Sequence, residues 1–348
     1  MRKAFASALA GTALATSLVL GGTGTASADP WTPAATDIVG VGTQTTAPLL
    51  SQFSADYNAF LAGKGDTTSP RLYSWDATGS AQIVPKSGAA AIYRPADTRA
   101  GIAALNGNTN TTVDFARADR GTLYDGDLPS DYFVAFGKDA ISWAAKAGGH
   151  APANLTTADL KDIYTCAKTT WSAIDPSLPN TIIKPMLPSS GSGTREFFMK
   201  TVGGGVLLTP GACVVSGVEA NQGTDPVLND DDVIVPYSIG HYIGQAYFGR
   251  AAGADAQGPL TVRDINGWPA VDTAAKTIGA SFAQSEYFTV LYNVFRQTDW
   301  LTPSARSAEL RAVFGPNGWI CKDPAAIADL KSHGFRQLTN GCGVSTHF

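Results

Sequence analysis

The chain has 348 residues, of which 44% are hydrophobic and 16% are charged, a balance typical of a globular protein large enough for two domains. Its formal net charge is −4, and it becomes −6 if Arg2 and Lys3 are removed with an N-terminal leader. This acidic balance excludes nucleic acid and anionic membranes as expected partners, because both require a basic face.

The N-terminal 28 residues have the pattern of a secretory signal peptide. A basic start is followed by a run of apolar or small residues at 4–20 and by Ala-Ser-Ala at 26–28. We therefore expect cleavage before Asp29 and a secreted or extracytoplasmic protein. No Cys stands at the cleavage point, so no lipid anchor is expected, and no later run is apolar enough to predict membrane insertion.

Four cysteines remain in the exported chain, and an even number in that compartment predicts disulfides. Three pairings are possible. We favour Cys166–Cys213 and Cys321–Cys342, because each pairing keeps its loop inside one region of the chain. No Cys-x-x-Cys is present and the four His are scattered, so neither a metal nor another cofactor is expected.

Strand and helix patterns alternate along the chain, which predicts an α/β fold with a mostly parallel sheet. An apolar, strand-like segment at 285–295 could also be helical. The predicted strands are at residues 38–42, 72–75, 90–94, 113–117, 132–136, 181–186 and 233–238, with a new element starting at 141–147. The predicted helices are at residues 49–58, 99–105, 155–164, 195–200, 241–249, 304–314 and 325–333.

The loop at residues 187–198 is the strongest candidate for a binding site. Pro188, two glycines and several hydroxyl residues precede a predicted helix that Thr194 would cap. The start of a helix offers unpaired N–H groups and the positive end of its dipole, so this loop and Arg195 predict a site for a small oxyanion. An ordinary capped helix after a flexible loop is the alternative.

Loops rich in Gly, Ser and Thr also follow the predicted strands near Thr43, at 74–80 and near Asp119. In α/β sheets, ligands bind beyond the carboxyl ends of the strands, so the four loops are expected to converge on one small ligand. The chain has neither a Gly-x-Gly-x-x-Gly run nor the Lys-Ser/Thr of a phosphate-binding P-loop, which argues against a nucleotide.

In this order the motifs resemble those of the extracytoplasmic phosphate-binding proteins of ABC transporters. Residues 191–194 match that family's Gly-Ser-Gly-Thr loop, residues 42–46 and 76–80 resemble its first two loops, and Ala118–Asp119 resembles the pair whose Asp accepts a proton from hydrogen phosphate. The resemblance implies the phosphate ligands Thr43, Gln44, Thr45, Thr46, Thr78, Gly79, Ser80, Asp119, Ser190, Gly191, Ser192, Gly193, Thr194 and Arg195.

The resemblance also implies a type 2 periplasmic-binding-protein fold, with two lobes around a ligand cleft and two crossing strands. The implied division is a signal peptide at 1–28, lobe 1 at 29–133 and 276–348, and lobe 2 at 134–275. The first crossing is expected near 132–136 and the second between 261 and 295. One departure is that the Arg which members often place before the Gly-Ser-Gly-Thr run is absent, so Arg195 is expected to supply the guanidinium.

The function implied is a monomeric, non-enzymatic solute-binding protein that captures inorganic phosphate for a membrane ABC permease. Three alternatives stay open: a binder of another oxyanion, a secreted phosphate-ester hydrolase, and an adhesion or scaffolding module. No Gly-x-Ser-x-Gly motif supports the hydrolase. At single residues, Asp119 could instead pair with Arg117 or Arg120, and Arg195 could pair with Glu196 or Asp225.

Overall fold

The structure is a computed structural model that describes residues 29, 32–122, 124 and 126–347. The predicted signal peptide at 1–28 lies outside these residues. Within them, none of the helices combines the length and the apolar character that crossing a bilayer would require.

Sixteen strands and ten α-helices are present in the described residues. The strands are β1 Ile38–Gly42, β2 Leu72–Ser74, β3 Gln82–Ile83, β4 Ile92–Tyr93, β5 Phe115–Ala118, β6 Asp131–Lys146, β7 Asn154–Leu155, β8 Lys184–Pro188, β9 Val215–Val218, β10 Val233–Ser238, β11 Leu260–Ile265, β12 Val271–Asp272, β13 Thr277–Ile278, β14 Phe288–Arg296, β15 Arg336–Gln337 and β16 Ser345–Thr346. The helices are α1 Ala47–Gly63, α2 Thr98–Asn106, α3 Thr157–Tyr164, α4 Trp171–Ile174, α5 Gly193–Val202, α6 Ile239–Tyr247, α7 Gln297–Leu301, α8 Ala305–Phe314, α9 Trp319–Lys322 and α10 Pro324–Ser332.

The main sheet has the strand order β2-β1-β5-β14-β6-β10-β8-β9. Both ends are parallel, because β1 pairs in parallel with β2 and β5, and β8 pairs in parallel with β9 and β10. At the centre, β14 and β6 pair with each other in antiparallel orientation. Strand β14 is also antiparallel to β5, and β6 is antiparallel to β10. The prediction of a mostly parallel sheet is therefore wrong for the centre, where the long strands β6 and β14 are antiparallel to their neighbours.

Strand β6 is much longer than expected, since the predicted strand at 132–136 and the element at 141–147 form one strand of 16 residues. Gly137, Lys138 and Asp139 interrupt the apolar pattern between them. Asp139 is nevertheless buried in the strand, because its carboxylate accepts hydrogen bonds from Ser238 Oγ at 2.5 Å and from the Gly240 N–H at 2.8 Å. The side chain thus holds the start of α6 against β6.

Separate apolar cores lie at the two ends of the sheet. We call the part built on β1, β2 and β5 the first lobe; its cores contain Phe53, Phe115 and Phe295. The part built on β8, β9 and β10 is the second lobe, with a core around Trp143, Trp171 and Phe198. Strands β6 and β14 run through the centre between these parts, and the predicted lobe boundaries at 133/134 and 275/276 stay predictions.

Most of the predicted elements are present in the structure. Helix α3 has Thr156 as its N-cap, with a reciprocal capping box to Asp159, and α8 has Ser304 as its N-cap. The ambiguous segment at 285–295 is strand β14. Both predicted disulfides, Cys166–Cys213 and Cys321–Cys342, are confirmed, one in each lobe.

Candidate functional site

Three loops meet where parallel strands end. Thr43 follows β1, Asp119 follows β5, and the loop at 189–192 follows β8 and leads into α5. The first two strands lie in the first lobe and the third in the second lobe, so the loops face each other across the fold. This is the edge at which α/β sheets bind ligands.

The carboxylate of Asp119 lies at the centre of these loops and is fully buried. Its Oδ2 accepts hydrogen bonds from Thr45 Oγ1 at 2.6 Å and from Thr194 Oγ1 at 2.9 Å, and its Oδ1 accepts one from Thr98 Oγ1 at 2.6 Å. Each hydroxyl belongs to the start of a different helix: Thr45 precedes α1, Thr98 begins α2 and Thr194 is in the first turn of α5. Asp119 therefore joins three helix N-termini.

The start of α5 differs from the prediction by two residues. The N-cap is Ser192, whose side chain accepts from the Arg195 N–H, and Thr194 is inside the first turn. Thr194 as the cap was wrong, because Gly193 already adopts helical geometry and leaves the hydroxyl of Thr194 free to reach Asp119. The backbone of Gly193 approaches so closely that a Cβ there would lie 1.9 Å from Asp119 Oδ1.

Neither neighbouring arginine pairs with Asp119. Arg117 is fully buried and donates to the carbonyls of Gly42, Thr43 and Trp75, and burial lowers the pKa of its guanidinium to about 10. Arg120 donates to Glu196 at 2.8 Å and to Asp127 at 2.7 Å. The Arg120–Glu196 contact joins the loop after β5 to helix α5 and so connects the two lobes.

Two buried donors at this site have no hydrogen-bond partner among the residues that the structure describes. They are Thr46 Oγ1, at the start of α1, and Nη2 of Arg120, in the residue directly after Asp119. The first turns of α1 and α5 add backbone N–H groups that have no acceptor inside their helices. The site therefore combines several donors with one carboxylate.

The structure brings together only part of the predicted set. Around Asp119 it places Thr43, Thr45, Thr46, Ser192, Gly193 and Thr194, all of them buried. Ser190 is exposed, and Gly191 packs against the carboxylate of Asp97. The side chain of Gln44 contacts Glu219 of the second lobe.

The second predicted loop does not join this group. Thr78, Gly79 and Ser80 are exposed, and Ser80 is held by Arg94 at 2.8 Å and by its own bond to the Gln82 carbonyl. None of the three contacts Asp119 among the described residues, although Thr78 lines the cleft beside the site, and their role as phosphate ligands stays a prediction. The polar residue at the end of β2 that does point inward is Ser74, which accepts from Arg117.

Arg195 lies at the edge of the site. Its Nη1 donates to the Pro188 carbonyl at 2.8 Å and to Ser216 Oγ at 3.1 Å, and burial lowers the pKa of its guanidinium. Neither Glu196 nor Asp225 is its partner in these contacts. The predicted bond from Arg195 to a bound anion stays a prediction.

Sequence reasoning missed four residues of the site. Thr98 carries a weak local signal, since it follows the helix cap Asp97. No local signal identifies Asn221, whose Nδ2 donates to Thr45 Oγ1 at 3.0 Å, or the pair His241 and Asp255. All three come from the second lobe; Asn221 and His241 contact the first loop across 176 and 196 residues, and Asp255 contacts His241.

A cleft of about 360 Å³ opens beside this site. Its walls include Gln44 and Thr78 from the first lobe and His241 and Asp255 from the second. Among the described residues, no group of three or more His, Cys, Asp or Glu side chains is arranged to hold a metal ion. The described site is thus built from hydroxyls, backbone amides and single charges.

Comparison with known proteins gives a family and several similar structures. A profile described as the PBP superfamily domain matches residues 27–287. No curated protein sequence matches the chain significantly. Among solved structures, a protein from Clostridium perfringens, assigned as a phosphate ABC transporter substrate-binding protein and holding phosphate, is 15% identical with a TM-score of 0.56; the match covers 87% of this chain and 100% of that one.

Two further structures have the same fold. An ABC-type phosphate transport receptor from Vibrio cholerae is 14% identical with a TM-score of 0.54, and the match covers 87% of this chain and 100% of the receptor. A phosphate-binding protein from Stenotrophomonas maltophilia is 12% identical with a TM-score of 0.53, with 88% and 91% covered. The expected two-lobe α/β fold of type 2 periplasmic binding proteins is thereby confirmed.

Proposed function

Because the chain belongs to the PBP superfamily, we propose that it captures inorganic phosphate outside the cytoplasm and delivers it to a membrane ABC permease. One observation carries the proposal: the buried carboxylate of Asp119 is held by hydroxyls at the starts of three helices. A helix start favours an anion through its unpaired N–H groups and its dipole. A carboxylate among such donors suits an anion that still carries a proton.

The hydrogen-bonding capacity of Asp119 supports phosphate in particular. An ionised carboxylate has about four acceptor positions, and three hydroxyls use three of them here. Within the part of the chain that the structure describes, Oδ1 receives only the bond from Thr98, so it can accept one more, from the O–H of hydrogen phosphate. Sulfate, which has no proton near neutral pH, would bring lone pairs against the same oxygen.

The two unpartnered donors support an anion of more than one oxygen. Thr46 Oγ1 and Arg120 Nη2 are buried and can each donate to a ligand oxygen other than the one that faces Asp119. A guanidinium donates charge-assisted bonds, which are stronger than neutral ones. Arg120 thus offers a guanidinium donor at the site, where the Arg that members often place before the Gly-Ser-Gly-Thr run is absent, although its charge is also paired with Glu196 and Asp127.

The similar structures support the proposed class of protein, since three of them are described as phosphate-binding or phosphate-transport proteins. We expect this chain to act likewise as a binding protein without catalysis, as a monomer, with the ABC permease as its partner. The two disulfides are consistent with an oxidising compartment outside the cytoplasm.

Calorimetry on the chain without residues 1–28 tests the proposal. Phosphate, arsenate, sulfate and molybdate are titrated separately, and hydrolysis of a chromogenic phosphate ester is measured in the same preparation. We expect binding of phosphate and, more weakly or equally, arsenate, with one site per chain and no ester hydrolysis. If sulfate or molybdate binds more tightly than phosphate, the ligand is another oxyanion and the proposal of phosphate is wrong. Hydrolysis of the ester would favour a phosphate-ester hydrolase.

A further inference from the structure

His241 connects the two lobes directly beside the candidate site. It lies in the first turn of α6 in the second lobe and is buried. Its Nδ1 is 2.8 Å from the carbonyl oxygen of Thr45, in the first lobe, and its Nε2 is 2.5 Å from Oδ1 of Asp255. Thr45 is also the residue whose hydroxyl donates to Asp119, so His241 fixes the backbone of a site residue.

Both atoms that face the His241 ring are acceptors. A carbonyl oxygen cannot donate, and Asp255 Oδ1 already accepts from Gln245 Nε2 at 2.7 Å. A neutral imidazole has one donor and one acceptor nitrogen, whereas an imidazolium has two donors. With an ionised Asp255 carboxylate, both contacts are satisfied together only when the ring carries two protons. The geometry therefore selects the imidazolium.

We propose that Thr45, His241 and Asp255 form a proton-dependent latch, in which the His241 imidazolium holds the lobes together around the bound anion and its deprotonation loosens them. His241 is a positioning residue here, since it acts through Thr45. The inference rests on the proposed function, because it assigns a regulation to the same site. When the ring loses one proton, one of its nitrogens becomes an acceptor and faces another acceptor, either the Thr45 carbonyl oxygen or Oδ1 of Asp255.

The charges around His241 agree with this assignment. Burial is the largest single influence and favours the neutral ring, but Asp255, the Thr45 carbonyl and, more distantly, Asp139 of β6 together outweigh it, so the pKa of His241 is raised. Arg250 and His333 also line the pocket at the ring. Burial lowers the pKa of His333 to about 3, so that ring is neutral near pH 7.

The sign of the pH dependence follows from the raised pKa. The contact with the Thr45 carbonyl is the one that crosses between the lobes, so closure adds an acceptor for the ring and raises its pKa above that in the open protein. The protonated ring then stabilises the closed state at low pH and loses that contribution as the pH rises through the raised value. Asp139, with a pKa raised by burial to about 6, is ionised above pH 7. Asp139 therefore does not account for a change above pH 7, and a fall in affinity above the ordinary imidazole value is assigned to His241, whose pKa is raised.

The test measures the phosphate dissociation constant from pH 6 to 9 for the unaltered chain, His241→Gln and Asp255→Asn. We expect the affinity of the unaltered chain to fall as the pH rises, by about tenfold for each unit by which binding raises the imidazole pKa. His241→Gln should bind more weakly at pH 6 and lack this fall, apart from the ionisation of phosphate itself. Asp255→Asn should shift the fall to lower pH.

His150→Gln is the matched control. His150 also pairs with an Asp, at 2.9 Å from Asp232, but Asp232 and its other partner Thr181 lie in the second lobe. Its pH profile should follow that of the unaltered chain. If His241→Gln and the unaltered chain give profiles of the same shape, the latch is overturned while phosphate capture stands.

A second measurement does not depend on a variant that folds. The titration of the His241 ring is followed by NMR in the unaltered chain with and without phosphate. We expect a pKa above 6.5 that rises further when phosphate binds; a value at or below 6.5 in the phosphate complex overturns the latch. If phosphate does not bind at any pH, the proposed function fails. The latch is then judged from the free chain, where a His241 pKa at or below 6.5 overturns it.

Discussion

Oδ1 of Asp119 lies 1.9 Å from the place that a Cβ atom at Gly193 would occupy. No side chain fits there, and the same position is 2.8 Å from Thr98 Oγ1. The glycine is thus required by the approach of two lobes and not by its backbone angles. The Gly-Ser-Gly-Thr run therefore has a packing role at its second glycine.

We predict that Gly193→Ala weakens phosphate binding by about ten- to a hundredfold, because overpacking a tight site costs roughly 1–3 kcal/mol. The methyl group has to push Asp119 from its hydroxyl donors or hold the lobes apart. Gly63→Ala is the control, since a Cβ at Gly63 meets nothing within 4 Å. Calorimetric titration of both variants checks this, and equal affinity of Gly193→Ala and the control would contradict it.

Local patterns in the sequence predicted the loops that form the centre of the candidate site. The Gly-Ser-Gly-Thr loop, Asp119 after its strand and the Thr-rich loop after β1 are each visible within a few residues, and the structure brings them together. Their convergence was predictable because parallel strands place their carboxyl ends at one edge of the sheet.

The missed contacts depend on packing between distant parts of the chain. His241 contacts Thr45 across 196 residues, and Asn221 contacts it across 176. No period or motif marks such pairs. The sequence predicted two elements where the structure has the single strand β6, for a related reason. Asp139 interrupts the apolar pattern of the strand, and its hydrogen-bond partners Ser238 and Gly240 are about 100 residues away in the sequence.

The two disulfides are expected to contribute unequally to stability. Cys166–Cys213 closes a separation of 47 residues and Cys321–Cys342 one of 21. In the loop-entropy account a longer closed loop restricts the unfolded chain more, which gives about 4 kcal/mol for the first and about 3 kcal/mol for the second. Double Cys→Ser variants, unfolded in urea, measure the difference. A larger loss from removing Cys321–Cys342 would contradict the prediction.

His333 is expected to weaken the fold in mild acid. Burial lowers its pKa to about 3, so the neutral ring stabilises the fold above the ordinary value near 6.5, and this contribution is lost as the pH falls towards 3. The loss is about 1.4 kcal/mol for each pH unit between 6 and 4. His333→Gln, which has no titrating group, should lose less free energy of unfolding over that range.

Denaturant unfolding at pH 7, 6, 5 and 4 measures this difference. The Nδ1 of His333 is 2.8 Å from the Asp329 carbonyl, and the amide of Gln can donate to the same oxygen. His347→Gln serves as the control, because His347 lies near the exposed C-terminal end and packs against Tyr132. Parallel pH curves for His333→Gln and the unaltered chain would show that His333 is already protonated or accessible in the fold.

Asp119 is expected to select phosphate over sulfate. Its buried carboxylate takes three hydroxyl donors and keeps one acceptor position on Oδ1 for the phosphate O–H. Asp119→Asn replaces one acceptor oxygen by a donor amide, so either Thr98 and the phosphate proton or Thr45 and Thr194 lose their acceptor. Since hydrogen bonds to charged groups contribute about 1.5–3 kcal/mol, phosphate affinity should fall roughly ten- to a hundredfold.

Sulfate should respond in the opposite direction. Against the carboxylate it meets lone pairs with no proton between them, in a buried site where repulsion is weakly screened, whereas the amide of Asn can donate to it. The ratio of phosphate to sulfate affinity, measured by calorimetry near pH 7, should therefore fall in Asp119→Asn. Asp66→Asn is the control, because Asp66 also accepts from Ser and Thr hydroxyls but lies in an exposed loop. If Asp119→Asn keeps the parent ratio, the selectivity lies in another residue and the case for phosphate itself weakens.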